Sequence, residues 1–329
     1  DMYVTYQGLC RMFVVSPLFH CKEVFSCMVT SSEPGFYRRH TRITDPGNLA
    51  STFDALPDTV PELVKVIHGV FLHVHWASRY GVSLTEEQKT HVQARTVGRI
   101  LQVTLGIDPS PLTVARPLTK RFVGNCRDFA TLLCSMLRHK GIPARARCGF
   151  GTYFRPGGFE DHWICEYYHS AQQRWVRADP QIDPLQQSVI RMTADPMDLA
   201  PEDFCTAGEA WRLCRTGAVS PERFGIGVDP RPWGLDSLHG LWFVRGQLLR
   251  DVAALNKVET VPFLVRLAHG GSWAPWRLVG ARDDEIGADD LALLDEAARV
   301  SAAADSLATI TELYAAHPDL QPSEEILAR

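Results

Sequence analysis

The stretch from Asn125 to Pro143 leaves the chain little conformational choice. Phe129, Leu132, Leu133, Met136 and Leu137 recur at offsets of three and four, which is one apolar face of a helix. Asn125 is a good N-cap, and Asp128 three residues on completes a capping-box-like pair. Arg138, His139 and Lys140 fall in the last turn, where positive charge suits the helix dipole. Gly141 then stops the helix and Pro143 forbids its continuation. A helix marked so clearly at both ends must lay its apolar face on something, and its first residue is Cys126. Unpaired backbone N–H groups at a helix start stabilise an anion, so the Cys126 thiol is expected to give up its proton easily, with Asp128 opposing mildly.

Two strands follow. Asp161–Tyr168 and Arg174–Asp179 are dense in aromatic and β-branched residues, with a polar turn between them. A four-residue loop over 169–172 sets His162 opposite Asp179, Ile164 opposite Arg177 and Glu166 opposite Trp175, all on one face. In that register an aspartate can hold one imidazole nitrogen while the other faces Cys126, giving a nucleophile, a base and an orienter.

With these residues in hand, the run GNCRDFATLLCSMLRHKGIPARARCGFGTYF, then DHWICEYY, then RWVRADPQID, resembles the transglutaminase-like branch of the papain-type thiol enzymes. The resemblance covers roughly residues 115–185. It implies an α+β fold in which the nucleophile helix packs on an antiparallel sheet, flanked by additional helices. It also implies Cys126 as nucleophile, His162 as base and then acid, and Asp179 as orienter. The remainder of the chain is similar to bacterial transglutaminase-domain proteins of unknown role. It does not resemble the calcium-dependent animal cross-linking enzymes, which carry additional β domains.

Around this centre the sequence divides into four parts. Residues 1–30 read as an irregular extension that need not belong to the native chain, with Met12 or Met28 as alternative starts; 31–115 is an N-terminal helical segment; 116–200 is the catalytic core; and 201–329 is a mostly helical region packed on the core. Helices are expected over Pro61–Tyr80, Thr85–Leu105, Pro201–Thr216, Gly240–Val258 and Asp289–Ala316, the last broken near Asp305. Ala144–Phe154 reads as a strand in which Gly149 and Gly151 permit a bend or a close backbone approach. His73 and His75 are assigned to a helix rather than to a metal site.

Composition narrows the function. The chain has 329 residues, 45% of them hydrophobic and 22% charged, which supports an ample core. A net charge of −4 without a large basic run makes nucleic acid and anionic membranes poor partners. No apolar run reaches the ~20 residues that span a bilayer. Nine cysteines without a close-spaced framework suit free thiols in a reducing compartment, hence a cytoplasmic location. Cys134, Cys148, Cys165, Cys205 and Cys214 read as core or incidental residues.

The expected chemistry is cleavage or transfer of an acyl group from an amide or thioester of a small molecule or peptide, through a Cys126 thioester, with hydrolysis favoured. The alternatives are an amine acyltransferase, of transglutaminase type or forming natural-product amides, and an inert binding protein on the same fold. No cofactor or metal is expected. The backbone N–H of Cys126 is an oxyanion donor, with Asn125 and Gln181 as candidates for the second. Arg145, Arg147 and Arg155 are candidates for holding a carboxylate or phosphate on the substrate. Oligomeric state is left open.

Overall fold

The computed structural model describes residues 35–268, 271–303 and 306–327. The N-terminal extension, with Cys10, Cys21 and Cys27, lies outside the described residues.

Helix α1 is Val60–Val70, with Pro61 in its first turn, where a missing N–H costs nothing. The expected continuation to Tyr80 does not occur. Phe71 turns extended, and Phe71–His73 forms strand β1, paired in parallel with Phe122–Gly124, strand β2. A strand partner some fifty residues away overrides the local helical spacing, and it takes His73 out of the helix to which it was assigned. The helix expected over Thr85–Leu105 is also two elements. Thr85 and Gln88 form a complete capping box on a short helix, Glu86–Thr90. The chain is extended at Ala94, and Thr96 then caps α2, Val97–Ile107.

Helix α3 is Cys126–His139, as its end signals dictate. The Asn125 side chain accepts from the Asp128 backbone N–H, and the Asp128 carboxylate accepts from the Asn125 N–H at 3.0 Å. Every residue of α3 from Cys126 to Arg138 is buried, so the helix is enclosed on all sides rather than laid on a surface.

The main sheet contains β3 (Ala144–Gly151), β4 (Phe159–His169), β5 (Arg174–Ala178) and β6 (Phe204–Thr206), in the antiparallel order β5-β4-β3-β6. A short strand, β7 (Phe224–Gly225), runs parallel to the start of β4. The β4–β5 register differs from expectation. Cys165 lies opposite Ala178, Glu166 opposite Arg177, and His169 still pairs with Arg174. The loop is therefore 170–173, closed by Gln173 at φ 51°. The shift is two residues, and because side chains alternate with period two it leaves each residue on its expected face.

The longer helices after β5 are α4 (Pro184–Ile190), α5 (Ala207–Arg215), α6 (Leu241–Leu255), α7 (Ala288–Ala303) and α8 (Leu307–Ala316). Phe204–Thr206 is strand rather than the start of a helix, and Thr206 caps α5 through a box with Glu209. Two large apolar cores result. One joins α1, α2 and α3 to the sheet through Leu63, Ile100, Phe129, Ala146 and Trp163. The other joins α5, α6 and α7 through Trp211, Leu248, Leu294 and Phe150. Strand β3 touches both α3 and α6, and all eight of its residues are buried. Gly149 is required there: a Cβ on it would meet the carbonyl oxygen of Cys205 and the ring of Phe204 on β6. No helix among the described residues is long and apolar enough to cross a membrane.

Candidate active site

Cys126 heads α3, His162 lies on β4, and Asp179 follows the last residue of β5. By the observed register Asp179 stands past the end of the ladder, roughly across from Ile164, so it reaches His162 diagonally. The reach suffices: His162 Nε2 and Asp179 Oδ2 are 2.7 Å apart, with the two side chains 2% and 0% exposed. Asp179 is fully satisfied. Oδ2 also accepts from the Tyr153 hydroxyl at 2.6 Å, and Oδ1 accepts from the Gln181 backbone N–H at 2.9 Å. The pairing leaves Nδ1 as the ring nitrogen available to a thiol. No hydrogen bond joins Cys126 Sγ to His162.

The thiol environment departs from expectation. Burial pushes the Cys126 thiol well above its ordinary range, and the carboxylates of Asp161, Asp128 and Asp179 push the same way. The backbone N–H of Trp163 pulls in the other direction, but it does not win. The helix-start effect anticipated for Cys126 is thus outweighed by desolvation and by three nearby acids. Two of those acids are themselves affected. Burial lifts Asp128 to about 6 against the pull of Arg127, and lifts Asp161 to about 6 against the pull of Arg250. Asp161 is held from α6: Gln247 Nε2 donates to its Oδ1, while Gln247 Oε1 accepts from Arg250 Nε at 3.0 Å and from Cys148 Sγ at 2.9 Å.

The two oxyanion candidates differ. Asn125 uses Oδ1 as the helix cap, and its Nδ2 is buried without a hydrogen-bond partner. Capping and donating are therefore compatible in one side chain. Gln181 donates one of its two Nε2 hydrogens to Gln186 Oε1 at 3.0 Å, and its carbonyl oxygen is buried without a hydrogen-bond partner. It lines a cavity of about 10 Å³ with His73 and Phe129, the volume of a single water.

Two of the three arginine candidates are overturned. Arg145 is 2% exposed, pairs with Glu166 at 2.8 Å and lies 4.1 Å from the ring centroid of Trp175. Arg147 is 1% exposed and is forked onto Asp251 at 2.9 and 3.0 Å, with Glu166 at 3.2 Å. These guanidiniums neutralise buried carboxylates, and Glu166 is accordingly held far below the ordinary carboxylate range despite its burial. Both guanidiniums are thus buried and engaged within the protein. Arg155 keeps 38% of its side chain exposed, beside Glu160 at 3.3 Å and His239 at 3.0 Å.

Sequence reasoning missed Tyr153 and Phe154, which it placed in the strand. β3 ends at Gly151, and the two aromatics fold back over it: Phe154 meets the His162 ring edge-on, with centroids 4.8 Å apart. The available signal was Gly151 itself, since a Cβ there would lie 2.8 Å from the Phe154 ring. The five other described cysteines carry free thiols. Cys134 and Cys165 lie with their sulfurs 3.2 Å apart, where α3 packs on β4.

No curated protein matches the chain. One solved structure, the "Putative Cysteine Protease from Cytophaga hutchinsonii", is 17% identical over 44% of this chain and 40% of that one, with a TM-score of 0.27, a likeness that carries no argument about this chain. The family model described as "Transglutaminase-like superfamily" matches residues 85–180, less than a third of the chain but a stretch that contains Cys126, His162 and Asp179. Through residues 85–180, then, this chain is similar to transglutaminase-like proteins.

Proposed function

We propose that the protein is a thiol enzyme that cleaves the acyl–nitrogen or acyl–sulfur bond of a small molecule or peptide, with hydrolysis as its reaction. The observation that carries this reading is the buried His162–Asp179 hydrogen bond of 2.7 Å next to a cysteine at a helix start. Asp179 fixes the imidazole so that Nδ1 is free to accept the Cys126 proton. The sulfur then attacks the acyl carbon, and the carbonyl oxygen becomes an oxyanion between the Cys126 backbone N–H and Asn125 Nδ2. As the tetrahedral species collapses, His162 returns the proton to the leaving amine or thiol and a thioester remains. Water, deprotonated by His162, adds to the thioester; Cys126 leaves and recovers its proton.

The raised thiol suits this order of events. A cysteine that rests protonated reacts only when a base takes its proton, so chemistry is tied to a substrate that brings thiol and imidazole together. An amine in place of water would make the same machinery an acyltransferase. The test is intact-mass detection of an acylated Cys126 during incubation with activated acyl amides and thioesters, with and without an amine acceptor. Acyl-enzyme that decays to free acid supports hydrolysis. Product that appears only with amine makes the enzyme a transferase. No acylation of Cys126 by any substrate would leave the inert binding protein as the better account.

A further inference from the structure

Asp179 Oδ2 carries two hydrogen bonds, one from the catalytic imidazole and one from a phenol. Tyr153 Oη is 2.6 Å from that oxygen and His162 Nε2 is 2.7 Å from it, so the two donors compete for one centre of negative charge. The arrangement is built. Gly151 allows the chain to fold back at the end of β3. Thr152 then anchors the return, its N–H donating to Asp203 O at 3.0 Å and its hydroxyl to Glu202 O at 2.9 Å. Arg223 Nε donates to Gly157 O at 2.7 Å on the far side of the same turn. The phenol stays a donor across the working range, since burial and the adjacent carboxylate both oppose its ionisation.

Resting on the thiol-enzyme reading above, we propose that Tyr153 is a positioning residue that tempers Asp179: by sharing Oδ2 it weakens the carboxylate's hold on the imidazolium and keeps His162 a competent acid. A hydrogen bond to a charged acceptor draws charge from it. An Asp179 without its phenol would bind the imidazolium more tightly, favour the Cys126 thiolate, and leave His162 slower to protonate the leaving group. The other titratable groups facing this trio are Glu160 and Asp161 on β4, His73 on β1, His68 on α1, Asp203 just before β6 and Cys126 itself, and none of them donates to Oδ2.

The substitution is Tyr153→Phe, which removes one oxygen and keeps the ring beside Phe154 and His162. Two rates are measured from about pH 6 to about pH 9: alkylation of Cys126 by iodoacetamide, read by peptide mapping, and turnover of an amide substrate. The expected result has opposite signs. Alkylation near neutral pH rises about fivefold, and amide turnover falls by about tenfold. A Tyr153 that only packs would lower both rates or neither, and either outcome overturns the proposal. Fluorotyrosine at position 153 supplies the converse. Its more acidic hydroxyl donates more strongly, so alkylation must slow, and this arm stands if Y153F does not fold. Wild-type Cys126 that resists alkylation at every pH and is never acylated would instead refute the thiol-enzyme reading, a failure distinct from an unchanged Y153F.

Discussion

Asp251→Ala should be among the most damaging single changes in this chain, although Asp251 lies 125 residues from Cys126 in sequence. Its carboxylate is fully buried and accepts four hydrogen bonds: Arg147 Nε at 3.0 Å, Arg147 Nη2 at 2.9 Å, the Cys148 backbone N–H at 2.8 Å and Ser301 Oγ at 2.6 Å. Truncation leaves Arg147 with Glu166 at 3.2 Å and the Ser301 carbonyl at 3.0 Å, so its charge is only partly compensated. Breaking a buried pair from one side costs about 3–5 kcal/mol. The Cys148 N–H, left in the sheet interior without an acceptor, adds about 1–3 kcal/mol, less whatever water can enter. The low end of that sum, about 4 kcal/mol, is already a large part of the ~5–15 kcal/mol that holds a domain folded. The midpoint of thermal unfolding, followed by tryptophan fluorescence, should fall by roughly 8–16 °C. Asp251→Asn, which keeps one acceptor oxygen, should fall between the two. Asp229→Ala, which breaks an exposed pair with Arg231, should leave the midpoint unchanged. A loss below about 1 kcal/mol in D251A would refute the claim that this network holds the C-terminal helices to the sheet.

Arg147→Ala should likewise lower the unfolding midpoint, without raising KM for anionic over neutral substrates; a selective KM effect would restore its role in substrate binding. Cys126→Ser should keep its melting behaviour and lose turnover by ~10³-fold or more, and retained turnover would remove Cys126 from the mechanism. Wild-type Cys126 should be labelled by iodoacetamide no faster than a denatured control at neutral pH and increasingly fast as pH rises, because burial and the neighbouring acids hold the thiol protonated. Asp161→Asn should stabilise the protein at neutral pH. The Asp161 carboxyl is raised from 3.8 to about 6 on folding, so its contribution is fully present below the unfolded value and lost as pH rises through about 6. The gain above that pH should approach ~3 kcal/mol, and a pH–stability curve unchanged by D161N would contradict it.

The parts of the molecule that sequence made legible are those whose causes are local. Asn125, Asp128, Gly141 and Pro143 act within a few residues of the helix they delimit, and α3 begins and ends where they require. The His–Asp contact was legible for a weaker reason. The turn was assigned to 169–172, whereas His169 and Arg174 stay paired and Gln173 takes the left-handed conformation instead. The error was even-numbered, so the face survived and a diagonal contact replaced a direct one. What sequence hid was non-local. β1 is a strand only because Phe122–Gly124 lies alongside it. Arg147 looked available to ligand because its partner Asp251 is 104 positions away. The thiol's resistance to ionisation comes first from burial and then from Asp161, two residues before Trp163 on a strand whose approach to Cys126 no local pattern reveals.

Strand β3, enclosed between α3 and α6 with all eight residues buried, also sets how the molecule can open. Its amides have no route to solvent short of separating both cores, so they should exchange with deuterium only through global unfolding and report the full stability of the chain. The segment that follows, 152–158, is half-buried or exposed and has few backbone bonds to hold it. Exchange protection should therefore drop sharply at Gly151, within a few residues. A substrate entering beside Tyr153 and Phe154 would draw on the cheap end of that gradient, while the strand next to it, which fixes the position of His162, need not yield at all.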